Sequence, residues 1–288
     1  MDKKGEYSYA ASVKSALSDE LINTYLLRPI AGLIVKLLYR TPITPNQVTV
    51  ASTVSGLLAG LFYLGGNPTS VAAAGLLVTL KDILDSADGQ LARAKNQYTR
   101  IGRFLDSIGD FVVDLAVFAA IGWTLYRSSG DIMMLVWAFL GFMGITLRVS
   151  YHVFYHTSFL HLEDKYKINR VTEEFREEDR AGDALAVELQ KIFQALYGWQ
   201  DRLMMRVDRW CRRGQEGDEF LSRWYSDIPA LRWSGFLGFG TELFLLMLCS
   251  IFDELPLYLY LNVFLMNGIL LVCVVYRQAF LREKLWPA

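Results

Sequence analysis

The chain has 288 residues, of which 53% are hydrophobic and 20% charged, with a formal net charge of −1. Ordinary soluble domains are about 45–50% apolar and about 25% charged, so the mean hydropathy of +0.24 leans towards a membrane and excludes a disordered chain, a collagen-like fibre or a disulfide scaffold. No basic surplus exists to neutralise phosphates along a nucleic acid, and no nucleic-acid partner is expected. Cys211, Cys249 and Cys273 are too scattered for a disulfide framework and read as buried small hydrophobes. The first twenty residues hold no apolar stretch suited to a cleavable signal.

Residues 20–40, ELINTYLLRPIAGLIVKLLYR, place Ile22, Leu26, Ile30, Leu33, Ile34 and Leu37 at helical spacing, with Arg28, Lys36 and Arg40 among them. The pattern predicts an interfacial amphipathic helix that Pro29 interrupts or restarts. Six apolar segments follow, near 46–65, 69–91, 104–126, 131–151, 234–252 and 256–276. Each is long enough to cross about 30 Å of hydrocarbon. The connections GGNPTS, RSSGD and FDELP contain one basic residue, Arg127, whereas Arg93, Lys95, Arg100, Arg103, Arg277, Arg282 and Lys284 mark the opposite ends. The positive-inside rule then puts both termini and residues 92–103 in the cytoplasm. Between the fourth and fifth spans lies a charged cytoplasmic insert, 160–232. It opens with paired opposite charges, then carries an apolar stripe of Leu185, Leu189, Ile192, Phe193, Leu196 and Trp199. The expected fold is an all-α integral membrane protein divided into 1–45, 46–159, 160–232 and 233–288.

The decisive stretch is DILDSADGQLARAKNQYTRIGRFLDSIGDFVVD. Asp85, Asp88, Gly89 and Ala92 share one helix face, and Gly102, Asp106 and Asp110 share a face of the next helix. A hairpin turning over 94–101 would bring the two faces together near the cytoplasmic boundary. Carboxylates in such a place are costly and repel one another. A divalent cation removes both penalties, and oxygen donors without nearby His or Cys favour Mg²⁺, Mn²⁺ or Ca²⁺ over zinc. Gly89 and Gly102 leave room for a ligand to approach closely.

The pattern Asp85-x2-Asp88-Gly89-x2-Ala92-Arg93-x8-Gly102-x3-Asp106-x3-Asp110 resembles, without a departure, the signature of the CDP-alcohol phosphotransferase family. Pro45, Asn46 and Thr49 extend the resemblance to the start of the first span. It covers 45–126 and the six-span layout, but not the insert. The resemblance implies a transferase that moves a substituted phosphate from a CDP-linked lipid donor to an alcohol acceptor in phospholipid biosynthesis, releasing CMP. It implies Mg²⁺ or Mn²⁺ on Asp85, Asp88 and Asp106, with Asp110 either ligating or taking the acceptor proton. Gly89, Ala92, Arg93 and Gly102 would line the CDP pocket, with Asn46 and Thr49 as further nucleotide contacts. A homodimer in the bilayer is a further implication.

Donor and acceptor stay open. CDP-diacylglycerol with a small polar alcohol is one arrangement; a CDP-amino alcohol with diacylglycerol is the other. Choline and ethanolamine transferases of the family usually carry His-Gly between the last two motif acids, and Ser107-Ile108-Gly109 here favours the first. Arg148, late in the fourth span, reads as a clamp on a substrate phosphate or as an arginine snorkelling to the interface. Asp114 and Glu242 suit structural hydrogen bonding. His152 and His156 have the i, i+4 spacing of helical zinc sites, but no accompanying ligand motif, and with His161 they read as polar boundary residues. A divalent-cation transporter and a scaffold presenting the insert are the competing classes. Transport would want acids near the midplane, and a scaffold leaves the aspartate spacing without a cause.

Overall fold

A computed structural model describes residues 7–12, 20, 22–163, 174 and 183–285 of the chain. The paired charges expected across 164–173 and 175–182 lie outside the described residues. Secondary structure among the described residues is helical throughout. After a single turn, α1 (Tyr9–Ser12), a π-helical segment Asn23–Leu27 leads into α2 (Arg28–Leu38). The long helices α3 (Pro45–Tyr63), α4 (Pro68–Lys95), α5 (Arg100–Ser129) and α6 (Met133–Leu162) follow. Then come α7 (Ala184–Arg212), α8 (Asp218–Tyr225), α9 (Ile228–Gly235), α10 (Phe239–Ile251) and α11 (Leu255–Tyr260). A π-helical segment Leu261–Met266 joins α11 to α12 (Asn267–Val275), and another, Tyr276–Leu281, joins α12 to α13 (Arg282–Leu285).

Local chemistry sets these boundaries. Thr44 and Gln47 form a reciprocal capping box ahead of α3, with Pro45 in its first turn. Asn67 caps α4, and Thr99 caps α5 by accepting from Gly102 N at 2.9 Å. Asn96 closes α4 in the left-handed region at φ 54°, a conformation Asn tolerates better than most residues. The tight turn 96–99 therefore doubles α5 back along α4.

α3 packs along both α4 and α5, α10 lies against α4, α5 against α6, and α2 crosses α4. Small residues let the backbones close up: a Cβ on Gly56 would clash with Val113 Cγ1, and one on Gly109 would meet Thr53 Oγ1 at 2.5 Å. Ser52 and Ser55 donate to the Lys81 and Leu77 carbonyls across the α3–α4 contact, both at 2.9 Å. The core beneath the site is apolar, with Ala59, Val78, Val113, Ile121, Ile145 and Leu246 all buried. The outer faces are apolar too: Val54, Leu61, Leu76, Leu115 and Phe139 are exposed. On α2 and the segment before it, Leu26, Ile30, Leu33 and Leu37 face outwards while Ala31 and Val35 are buried.

Helices occupy all six intervals expected to span. Three stretches are long and apolar enough to cross a membrane by length and composition: Met133–Leu162, Ile228–Ile251 and Leu255–Ala279. The helices of the motif half fall below that level, because Ser, Thr and Gly in α3 and the charges of α4 and α5 dilute their apolar content.

Two boundaries differ from the expectation. α6 continues past 151 to Leu162, because Tyr151, Tyr155 and Phe159 bury against Met204, Leu231, Leu237 and Cys273. The fourth span and the insert thus meet inside one continuous helix. The fifth interval begins earlier, at Ile228, and breaks at 236–238. Glu20 inserts there and accepts from Gly240 N at 2.7 Å, and Gly238 has no room for a Cβ beside it.

The apolar stripe of α7 divides. Phe193 lies 5.4 Å from the Phe104 ring, and Tyr197 donates to the Ser107 carbonyl at 2.9 Å, so this side packs on α5. Leu185, Ile192 and Trp199 are exposed. All three cysteines are buried and free, as expected, and burial pushes the Cys211 thiol up to about 12, which keeps it unreactive.

Candidate active site

The α4–α5 hairpin and the first turns of α3 build the site. Asp85, Asp88 and Asp106 each offer an oxygen, and these atoms lie within 4.8 Å of one another. It is the one such group of His, Cys or carboxylate donors among the described residues. Asp88 is 7% exposed, and Asp106 keeps a buried Oδ1 that has no protein hydrogen-bond partner. Crowded carboxylates with an unserved oxygen suit a hard divalent cation, and the absence of His and Cys from the group disfavours zinc.

Thr49 turns from the nucleotide contact of the expectation towards the acids: its hydroxyl donates to Asp88 Oδ2. That bond fixes one carboxylate of the trio from α3. Outer partners of ligands typically support affinity by about 10–100-fold. Thr49→Val should accordingly weaken Mn²⁺ binding by about that factor, read from a metal titration. Unchanged affinity would make the hydroxyl a bystander.

Asn46 reaches Gly102, where a Cβ would meet its Oδ1 at 2.6 Å. Among the described residues, a Cβ on Gly89 would meet only the Arg93 guanidinium, at 3.5 Å, which leaves room beside the acids. Arg93 donates through Nε to the Ser12 carbonyl, and Ala92 is buried on the same helix. Lys95 ties the end of α4 to the Thr41 and Ile43 carbonyls at 2.8 and 2.7 Å.

Lys81 was missed by the motif. It lies on α4 one turn before Asp85, is 2% exposed, forms an ion pair with Asp110 and sits 3.7 Å from Asp85 Oδ1. A lysine four residues ahead of the first motif acid, inside an apolar run, was the signal available. Asp82 beside it is also buried. Asp110, expected as ligand or base, is not part of the close trio.

Arg148 is a correction. It neither reaches the aspartates nor snorkels, because it is fully buried and committed elsewhere. Its Nε donates to Glu242 Oε1 at 2.7 Å, and Nη1 donates to Asn267 Oδ1 at 2.7 Å and to the Asn262 carbonyl at 3.1 Å. Glu242 makes the helix–helix bonds expected of it, accepting also from Asn262 Nδ2 at 3.0 Å. The His152 and His156 rings lie 5.5 Å apart, with His152 Nδ1 3.5 Å from Ser234 Oγ, and neither joins a metal-type group among the described residues.

Fold and site together define a helical membrane protein with a carboxylate centre suited to a hard cation. Residues 42–168 match the family model of CDP-alcohol phosphatidyltransferase. The chain is 31% identical over 135 residues to a bifunctional IPC transferase and DIPP synthase of Thermococcus kodakarensis, covering 46% of this chain and 29% of that one. It is 33% identical over 126 residues to a phosphatidylinositol phosphate synthase of Corynebacterium glutamicum, covering 44% and 55%. An inner membrane protein of Escherichia coli, YnbA, is 34% identical over 82 residues, covering 28% and 41%. The matched region thus spans 29% of the length of the Thermococcus relative and 33% of that of a bifunctional IPC transferase and DIPP synthase of Aquifex aeolicus.

Proposed function

We propose that this chain transfers a phosphatidyl-type group from CDP-diacylglycerol to a small polar alcohol, with release of CMP. The observation that carries the reading is the trio Asp85, Asp88 and Asp106, closed to within 4.8 Å beside the open face at Gly89 and Arg93. In the transfer, the acceptor oxygen bonds to phosphorus, the bond to the CMP oxygen breaks, and the acceptor proton passes to Asp110. Asp85, Asp88 and Asp106 would hold Mg²⁺ or Mn²⁺, which when bound screens the diphosphate charge. Arg93, Gly89, Ala92 and Gly102 line the nucleotide side, with Asn46 seated against Gly102. Relatives named phosphatidylinositol phosphate synthase and archaetidylinositol phosphate synthase make a phosphorylated inositol the first acceptor to try. The test is CMP release by the purified protein from CDP-diacylglycerol with Mg²⁺ or Mn²⁺, across a panel of acceptors. Release seen only with CDP-choline and diacylglycerol would reassign the donor, and cation flux without CMP release would favour a transporter.

The same reading has six spans, with the acids at the cytoplasmic side. Arg93, Lys95, Arg100 and Arg103 surround the turn between α4 and α5, which supports that orientation. Outward-facing Leu26, Ile30, Leu33 and Leu37 suit α2 to the headgroup layer. Gln97→Cys should resist impermeant thiol reagents in intact cells and react once the membrane is opened. Labelling from outside would invert the topology.

A further inference from the structure

Lys81, Asp85 and Asp88 form one stripe of α4, and the Lys81 ammonium is buried at 2% exposure. Among the described residues it makes a direct ion pair with Asp110 from α5, lies 3.7 Å from Asp85 and 5.4 Å from the centroid of the Phe239 ring of α10, and feels the charges of Asp82 and Asp114 as well. The three aspartates that close around a common point leave Asp110 out. In phosphoryl-transfer sites with two metals, the ions sit about 3.5–4 Å apart and share carboxylates, so a second ion here would call on Asp110. Lys81 already holds it.

We infer that Lys81 is a built-in cation that takes the place of a second metal ion. The centre then binds one divalent ion on Asp85, Asp88 and Asp106, and Asp110 stays metal-free for the acceptor proton. The inference rests on the cation site proposed above and adds its stoichiometry. Lys81 acts through Asp110 and is a positioning residue. A lysine that merely stapled α4 to α5 would leave the metal count unchanged when removed.

The test counts metal in the full-length protein, stripped with EDTA in detergent and reloaded with Mn²⁺. The wild type should hold about one Mn²⁺ per chain with an uncoupled spin-resonance spectrum, and Lys81→Met about two with an exchange-coupled one. Lys81→Arg, which keeps the charge, should stay at the wild-type count. Asp110→Asn should also keep its single ion, which tests the inference even where Lys81→Met fails to fold. Two ions in the wild type, an unchanged count in folded Lys81→Met, or loss of the ion in Asp110→Asn would each overturn it. Two ions would leave the transferase reading standing, whereas no bound Mn²⁺ at all would sink both.

Discussion

Asp110→Asn is expected to slow transfer by about 10²–10⁴-fold, the usual cost of removing a general base, while CDP-donor and Mn²⁺ binding persist. Asp110 lies one turn beyond Asp106 on α5, its side chain 13% exposed, with one carboxylate oxygen engaged by Lys81. Asparagine keeps that shape and still accepts from the ammonium, but it cannot take a proton from a hydroxyl. The control is Asp88→Asn, which removes an oxygen from the close trio and should lower metal affinity and turnover together. Parallel measurements of CMP release and Mn²⁺ titration separate the two roles. Equal loss of metal affinity in both variants would return Asp110 to the ligands.

That division of labour was half legible before the fold. Periodicity alone places Asp85 and Asp88 on one face and Asp106 and Asp110 on another, with a connection over 94–101 to join them; the capping roles of Asn96 and Thr99 came only with the fold. The pairing of Asp110 was not legible, because it depends on Lys81, a charge inside an apolar run that reads locally as dilution of a span. Thr49 was picked out as a site residue, but its direction towards Asp88 is set by how α3 packs on α4. The overrun of α6 has the same origin. Hydropathy falls after Ser150, yet the aromatic residues of YHVFYHTSFLHL find protein rather than lipid to bury against. The break before α10 depends on Glu20, more than two hundred residues earlier in the chain. Short-range rules located the elements; partners distant in sequence decided the details.

Arg148 carries the other large effect, and it is one of stability. Three groups take up its guanidinium: Glu242 at 2.7 Å, Asn267 Oδ1 at 2.7 Å and the Asn262 carbonyl at 3.1 Å. They come from α10, α12 and the π-helical segment Leu261–Met266, so one side chain of α6 gathers the last part of the bundle. Arg148 and Glu242 are each 0% exposed, so Arg148→Ala strands a carboxylate where neither water nor another cation reaches it. Breaking a buried pair in this one-sided way costs about 3–5 kcal/mol. Thermal unfolding in detergent should shift accordingly. Arg148→Lys should lose much of the same stability, since a single ammonium cannot reproduce the planar fork. Replacing both partners with apolar residues of similar volume, Arg148→Met with Glu242→Leu, should recover most of the loss, because no buried charge then remains. A phosphate clamp would behave the opposite way: Arg148→Lys would melt normally and turn over poorly, and the double variant would rescue nothing.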